Sequence, residues 1–199
     1  MGTRTVLLVA LVAGVLGVVA GLAVNGPGPL LRTELGQRAV QQAMDAVAPP
    51  TPEGLAVAKR GDVVPAITLP DLSGTPRSLA ADFGGRPLLV NFWASWCGPC
   101  IEEMPELDRY AAAQGEDGVQ VIGIALDDAE AVEEFLQRIP VRYPILVDVP
   151  GPRDSSVQLG NPRGVLPYTA LVSADGRLLK QRIGPFVHGE LDGWAGLDD

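Results

Sequence analysis

Trp96-Cys97-Gly98-Pro99-Cys100-Ile101-Glu102-Glu103-Met104-Pro105 contains both cysteines of a chain of 199 residues. Two thiols separated by two residues can form a redox couple, half of a metal site or a small structural clip. A zinc centre needs about four ligands, and the chain offers only those two cysteines and one histidine, His188. Attachment of a c-type haem needs C-x-x-C-H, and Ile101 stands in the histidine position. A clip around so short a loop removes only about 2 kcal/mol of unfolded-chain entropy. Thiol redox chemistry is what the spacing and its surroundings favour.

The preceding run Pro87–Ala94 (PLLVNFWA) is short, apolar and bounded by Gly85 and Gly98, which predicts a buried strand. Gly98 and Pro99 suit a helix start, where proline's missing N–H would be unpaired in any case. Cys97 then sits at a helix N-terminus, where free amides and the helix dipole favour a thiolate, the nucleophile of disulfide exchange. Cys100 lies one turn on, on the same side, and should be the more buried of the two. Pro105 should kink the helix just beyond.

Further elements are predicted as strands at Val63–Leu69, Val119–Leu126 and Ile145–Val147, and as a helix over Asp128–Arg138 with Ala131, Val132, Phe135 and Leu136 apolar. Thr169–Ser173, Asp175-Gly176 and Arg177–Ile183 predict a hairpin. Strands alternating with helices and closing in a hairpin imply an α/β domain with a mixed central sheet flanked by helices, over residues 61–199.

Upstream, Thr5 to Val24 carries no charge. A helix of that length rises about 30 Å, the hydrocarbon thickness of a bilayer. Val18-Val19-Ala20 would also suit cleavage of a signal peptide, but the apolar run exceeds a signal core of roughly 7–15 residues, so residues 1–24 are expected to be an uncleaved transmembrane helix. Arg4 before the span, with Arg32 offset by Glu34 after it, favours a cytoplasmic N-terminus and an extracytoplasmic domain. Gly17 and Gly21, with Ala13, make a small-residue stripe of a kind common in apolar spans. Residues 25–60 are expected to be a juxtamembrane spacer, with a short helix within Leu30–Ala48 between two proline-rich stops. A net charge of −9 without a basic run argues against nucleic acid.

"NFWASWCGPCIEEMP" with "GVLPYT" downstream resembles the thioredoxin-like superfamily, and within it the membrane-anchored TlpA/ResA-type thiol–disulfide oxidoreductases. "GDVVPAITLPDLSGTPRSLAADFGGRP" also resembles the front of that branch and of the peroxiredoxins. The resemblance implies a thioredoxin-like fold, a redox-active Cys97–Cys100 disulfide with no other cofactor, and Pro167 in a cis-proline loop opposite the cysteines. Leu166, where the family often has Thr or Val, would offer backbone groups to a substrate peptide beside Trp96, Gly98 and Pro99; Trp93 is expected in the core. Thioredoxin has a buried Asp where this chain has Asn91, which cannot exchange a proton for Cys100. In the tethered branch a Glu on the active-site helix resembles that base, and Glu103 is in the matching place; Glu102 is expected to be solvated. No partner is foreseen for His188.

The function implied is reduction of protein disulfides at the periplasmic face of the cytoplasmic membrane. Its substrates would be cysteine-bearing proteins such as apocytochrome c, and a membrane thiol-electron donor would renew it. The Gly-Pro dipeptide resembles that of reducing thioredoxin, whose potential is about −270 mV. An oxidant or isomerase of the same fold is the alternative, and a tethered binding module with incidental thiols stands in another class. A thiol peroxidase would need proline at Val90 and threonine at Ala94, and has neither.

Overall fold

In a computed structural model of the chain, the described residues are 28–196 together with Val6 and Gly26. Apart from Val6, the run read as a transmembrane helix lies outside them. Among the described residues no helix is long and apolar enough to cross a membrane. The chain divides into two units, Met1–Val40 and Gln41–Asp199.

The helix expected within Leu30–Ala48 is two: α1 (Gly28–Leu31) and α2 (Glu34–Ala46). Thr33 separates them, because its hydroxyl donates to Leu30 O (2.7 Å) and accepts from Gly36 N (3.1 Å), serving as an N-terminal cap.

The second unit is built on β1 (Thr68–Pro70), β2 (Pro76–Ser78), α3 (Leu79–Phe83), β3 (Leu88–Trp93), α4 (Gly98–Ala113), β4 (Gln120–Leu126) and α5 (Ala129–Arg138). It continues with β5 (Ile145–Asp148), α6 (Ser155–Gln158), β6 (Tyr168–Val172), β7 (Leu178–Ile183) and α7 (Glu190–Trp194). The main sheet has the order β5-β4-β3-β6-β7. β3, β4 and β5 run parallel, while β6 and β7 are antiparallel. The mixed sheet and its flanking helices agree with the sequence reading.

β3 is central and buried along its whole length, which is why it reads as a continuous apolar run. Its residues alternate between two cores. Leu89 and Trp93 face a cluster with Met104 and Leu107 of α4, Phe135 of α5 and Leu191 of α7. Leu88, Val90 and Phe92 face Ile67, Leu79 and Phe83 on the other side. Gly123 of β4 is required by this packing: a Cβ there would come within 2.7 Å of Ile145 Cδ1 and 3.0 Å of Trp93 Nε1.

The strand expected over Val63–Leu69 is not formed. Val63 makes an isolated bridge to Arg177, and regular pairing starts only at Thr68. Pro65 lies between them and has no N–H to carry a ladder onward.

Candidate active site

The two cysteines stand where β3 hands over to α4. Ser95 fixes that junction: its N–H and hydroxyl both donate to Asp127 Oδ2, at 2.9 and 2.6 Å, tying the turn to the end of β4. Cys97 is the N-cap residue of α4, with Pro99 in the first turn and no side-chain cap bond of its own. Cys97 and Cys100 are joined in a disulfide with Cα atoms 5.3 Å apart. Cys97 is 6% exposed and Cys100 fully buried, the order expected from their places on the helix. In the reduced form the sulfur of Cys97 would meet the positive end of the helix dipole, which favours the thiolate.

Gly98 and Pro99 are exposed, and Trp96 is 71% exposed beside Cys97. Trp93, in contrast, is core, its ring centroid 5.3 Å from that of Phe135. The Leu166–Pro167 peptide bond is cis. β6 pairs with β3 through Phe92↔Tyr168, and one further step brings Pro167 level with Trp93, at the sheet end that carries the cysteines. Pro167 is buried and Leu166 half-buried. Trp96 and Leu166 line an open groove together with Leu126 and Pro150.

Beneath the disulfide lies a buried carboxylate. Glu103 is on α4, one turn after Cys100, and is 1% exposed. Its Oε1 accepts from Asn91 Nδ2 at 2.8 Å, and its Oε2 accepts from the Phe186 N–H at 2.9 Å. Asn91 Nδ2 also donates to Thr169 Oγ1 at 3.0 Å, bridging the helix to β6. Burial pushes the Glu103 carboxyl up to about 7, against the pull of the Phe186 and Asn91 hydrogen bonds and of the Arg182 charge. A carboxyl poised near neutrality can take up and release a proton under ordinary conditions. Glu102, its neighbour, is exposed, as expected of a solvated acid.

One turn further, Glu106 is also buried. It accepts from Arg109 Nε (2.8 Å) and Nη2 (2.7 Å) and from the Gly189 N–H (2.9 Å). The Arg109 hydrogen bonds hold its carboxyl below the usual range. His188, for which no partner was foreseen, places Nδ1 3.2 Å from Glu106 Oε2. That contact joins residues far apart in sequence and has no local signature. α4 runs through Pro105 to Ala113.

Sequence reasoning took Asn91 only as a missing acid; here its amide donates to Glu103. It also missed Arg182, which is 2% exposed, bonds Glu190 at 2.9 and 3.0 Å, and stacks its guanidinium 4.3 Å from the Phe186 ring centroid. LLKQRI has no apolar alternation to single it out; the burial that turns Lys180 and Arg182 inward is seen only in the fold.

Comparison with known proteins agrees with this geometry. The Redoxin family model matches residues 59–194. The chain is 29% identical over 135 residues to the thiol–disulfide oxidoreductase ResA of Bacillus cereus, covering 67% of this chain and 75% of that protein. Among solved structures, a thioredoxin-related protein from Neisseria meningitidis serogroup B is similar at a TM-score of 0.56 and 34% identity, covering 63% of this chain and 93% of that one. A putative thiol:disulfide interchange protein DsbE from Chlorobium tepidum is similar at a TM-score of 0.55 and 28% identity, over 65% of this chain and 88% of that one. The Redoxin match over most of the chain, the relatives named thiol–disulfide oxidoreductase and a thioredoxin-like sheet ending in a cysteine pair make this chain a member of the Redoxin family and a protein thiol–disulfide oxidoreductase.

Proposed function

We propose that the chain is an extracytoplasmic reductant of protein disulfides, held at the membrane by the apolar run Thr5–Val24. The observation that carries the reading is the buried Glu103 carboxyl one turn below the cysteine pair, with Asn91 where thioredoxin has its acid. The Cys97 thiolate attacks a substrate disulfide; a Cys97–substrate disulfide forms and the other substrate sulfur leaves as a thiolate, which takes its proton from solvent. Cys100 then gives its proton to Glu103 and attacks the Cys97 sulfur. This releases the second substrate thiol and closes the Cys97–Cys100 disulfide. Two electrons have passed to the substrate, so a membrane thiol donor must renew the dithiol.

Trp96, Gly98 and Pro99 with Leu166 and cis-Pro167 form the surface on which the substrate peptide lies in this reading. Cysteine-bearing envelope proteins, apocytochrome c among them, are the substrate class. The Gly-Pro dipeptide supports the reducing direction, and the resemblance to ResA-type proteins supports the place outside the cytoplasm.

The test is the reduction potential, measured by equilibration with a thiol–disulfide buffer. A value near about −270 mV is expected; one near about −120 mV, that of a strong oxidant, would overturn the reducing role in favour of oxidation. In cells, Cys100→Ser should accumulate mixed disulfides through Cys97. Complexes that persist without either cysteine would instead identify a binding module.

A further inference from the structure

We propose that the segment Gln41–Ala58, ahead of the part matched by the family model, is a wall of the substrate groove. Through it the chain selects cysteines flanked by apolar residues in extended polypeptides. The inference rests on the thiol–disulfide reading above and adds its specificity.

The segment is fastened across the domain at four points. Gln41 Nε2 donates to Gly160 O (2.7 Å), and Arg163 Nη1 to Val47 O (3.4 Å). Arg153 Nη1 donates to Glu53 O (3.3 Å), and the Ala58 N–H to Gln158 O (2.8 Å). Gly160 has a positive φ of 90°, and a Cβ there would stand 2.9 Å from Ala58 O and 2.2 Å from Gln181 Nε2. A glycine is therefore needed for the segment to pass so close. The matched Redoxin region begins only at residue 59, so this wall is additional to it.

The fastening brings Pro49 into the lining of the groove that Trp96 and Leu166 share, with Pro150, Pro152 and Leu126. Trp96 and Leu166 are the chain neighbours of Cys97 and cis-Pro167, which sets this lining beside the cysteine pair. Proline has no N–H, and Pro49, Pro150, Pro152 and Pro162, all in the lining, give an incoming strand no amide to pair with. The two charged residues of the lining are engaged, Arg163 on Val47 O and Asp154 by Gly151, Ser156 and Val157, so recognition falls to carbon surface, the exposed indole of Trp96 included. The matching occupant is an extended chain whose residue beside the cysteine is apolar. A lone cysteine disulfide would react at Cys97 without reaching Pro49.

The probes are three mixed disulfides with nitrothiobenzoate: cysteine itself, a peptide with Leu beside its cysteine, and the same peptide with Ser there. The full chain, pre-reduced, is followed through a single turnover. The Cys97 thiolate attacks the cysteine sulfur of the probe and expels the coloured nitrothiobenzoate thiolate. Cys100 then attacks the Cys97 sulfur, closing the disulfide and freeing the peptide thiol. Normalised to the cysteine probe, the Leu peptide should react about tenfold faster than the Ser peptide, and Pro49→Asp should abolish that preference. An unchanged preference in Pro49→Asp would overturn the inference, whereas failure of the native protein with every probe would overturn the thiol–disulfide reading itself. As a second measurement, Cys100→Ser carrying the Leu peptide on Cys97 should show slowed amide exchange over residues 47–55. Exchange there unaltered by the attached peptide would also refute the wall.

Discussion

Glu103→Gln, studied in the disulfide form, should change how stability depends on pH. The native carboxyl is buried and raised from 4.5 to about 7. At about 1.4 kcal/mol per pH unit, the ionised folded state is disfavoured by about 3 kcal/mol relative to an unfolded chain with an ordinary carboxyl. Below pH 4.5 both states hold the proton and the penalty is absent. Between 4.5 and about 7 the folded chain keeps a proton that the unfolded chain has lost, so stability falls as pH rises. Above about 7 the curve flattens. Glutamine carries no such term. Its amide can also be accommodated, because Asn91 Oδ1 has no partner and a turned Asn91 would offer that oxygen to it. Other carboxyls, including Glu106 and Asp108 with their lowered values, titrate in both proteins and cancel in the difference. Denaturant unfolding from pH 4 to 8 should therefore show the variant gaining about 3 kcal/mol on the native protein across that window. A flat difference would refute Glu103 as the titrating group.

Arg182→Gln removes a positive charge that favours the Glu103 carboxylate, so the upper end of that window, where the curve flattens, should move above 7; an upper end that stays or falls would contradict the assigned coupling. Gly123→Ala forces a methyl against Ile145, Trp93 and Tyr143 and should lower the denaturant midpoint by the equivalent of about 1–3 kcal/mol. Wild-type stability there would mean that the indole and its neighbours shift without cost.

The parts legible in sequence were those whose signals are local. PLLVNFWA announced β3 because a strand covered on both faces is apolar at nearly every position, Asn91 being the exception, and Gly98-Pro99 marked the helix start that presents Cys97. The hairpin of β6 and β7 was visible in its Asp175-Gly176 turn. Glu103 was picked out by its place after Cys100, but its environment was not. The Phe186 amide that faces it is 83 residues away, and a backbone N–H leaves no mark in the residue type. A similar separation hid the Glu106–His188 contact. Val63–Leu69 was misread because its apolar content outweighed Pro65, although one missing donor is enough to stop a ladder.

The loop between β7 and α7 is gripped twice by α4, through Glu103 on Phe186 and through Glu106 on Gly189. A premature stop codon after Gly184 would spare β1 to β7 and both cysteines. It would nevertheless strip one amide from each glutamate, remove the Glu190 partner of Arg182 and take Leu191 and Trp194 from the core. Water would then reach Glu103, and its carboxyl would relax towards 4.5. Such a shortened product would retain its C-x-x-C yet lose the neutral-pH proton site, so a screen that scores only the cysteine motif would misjudge it.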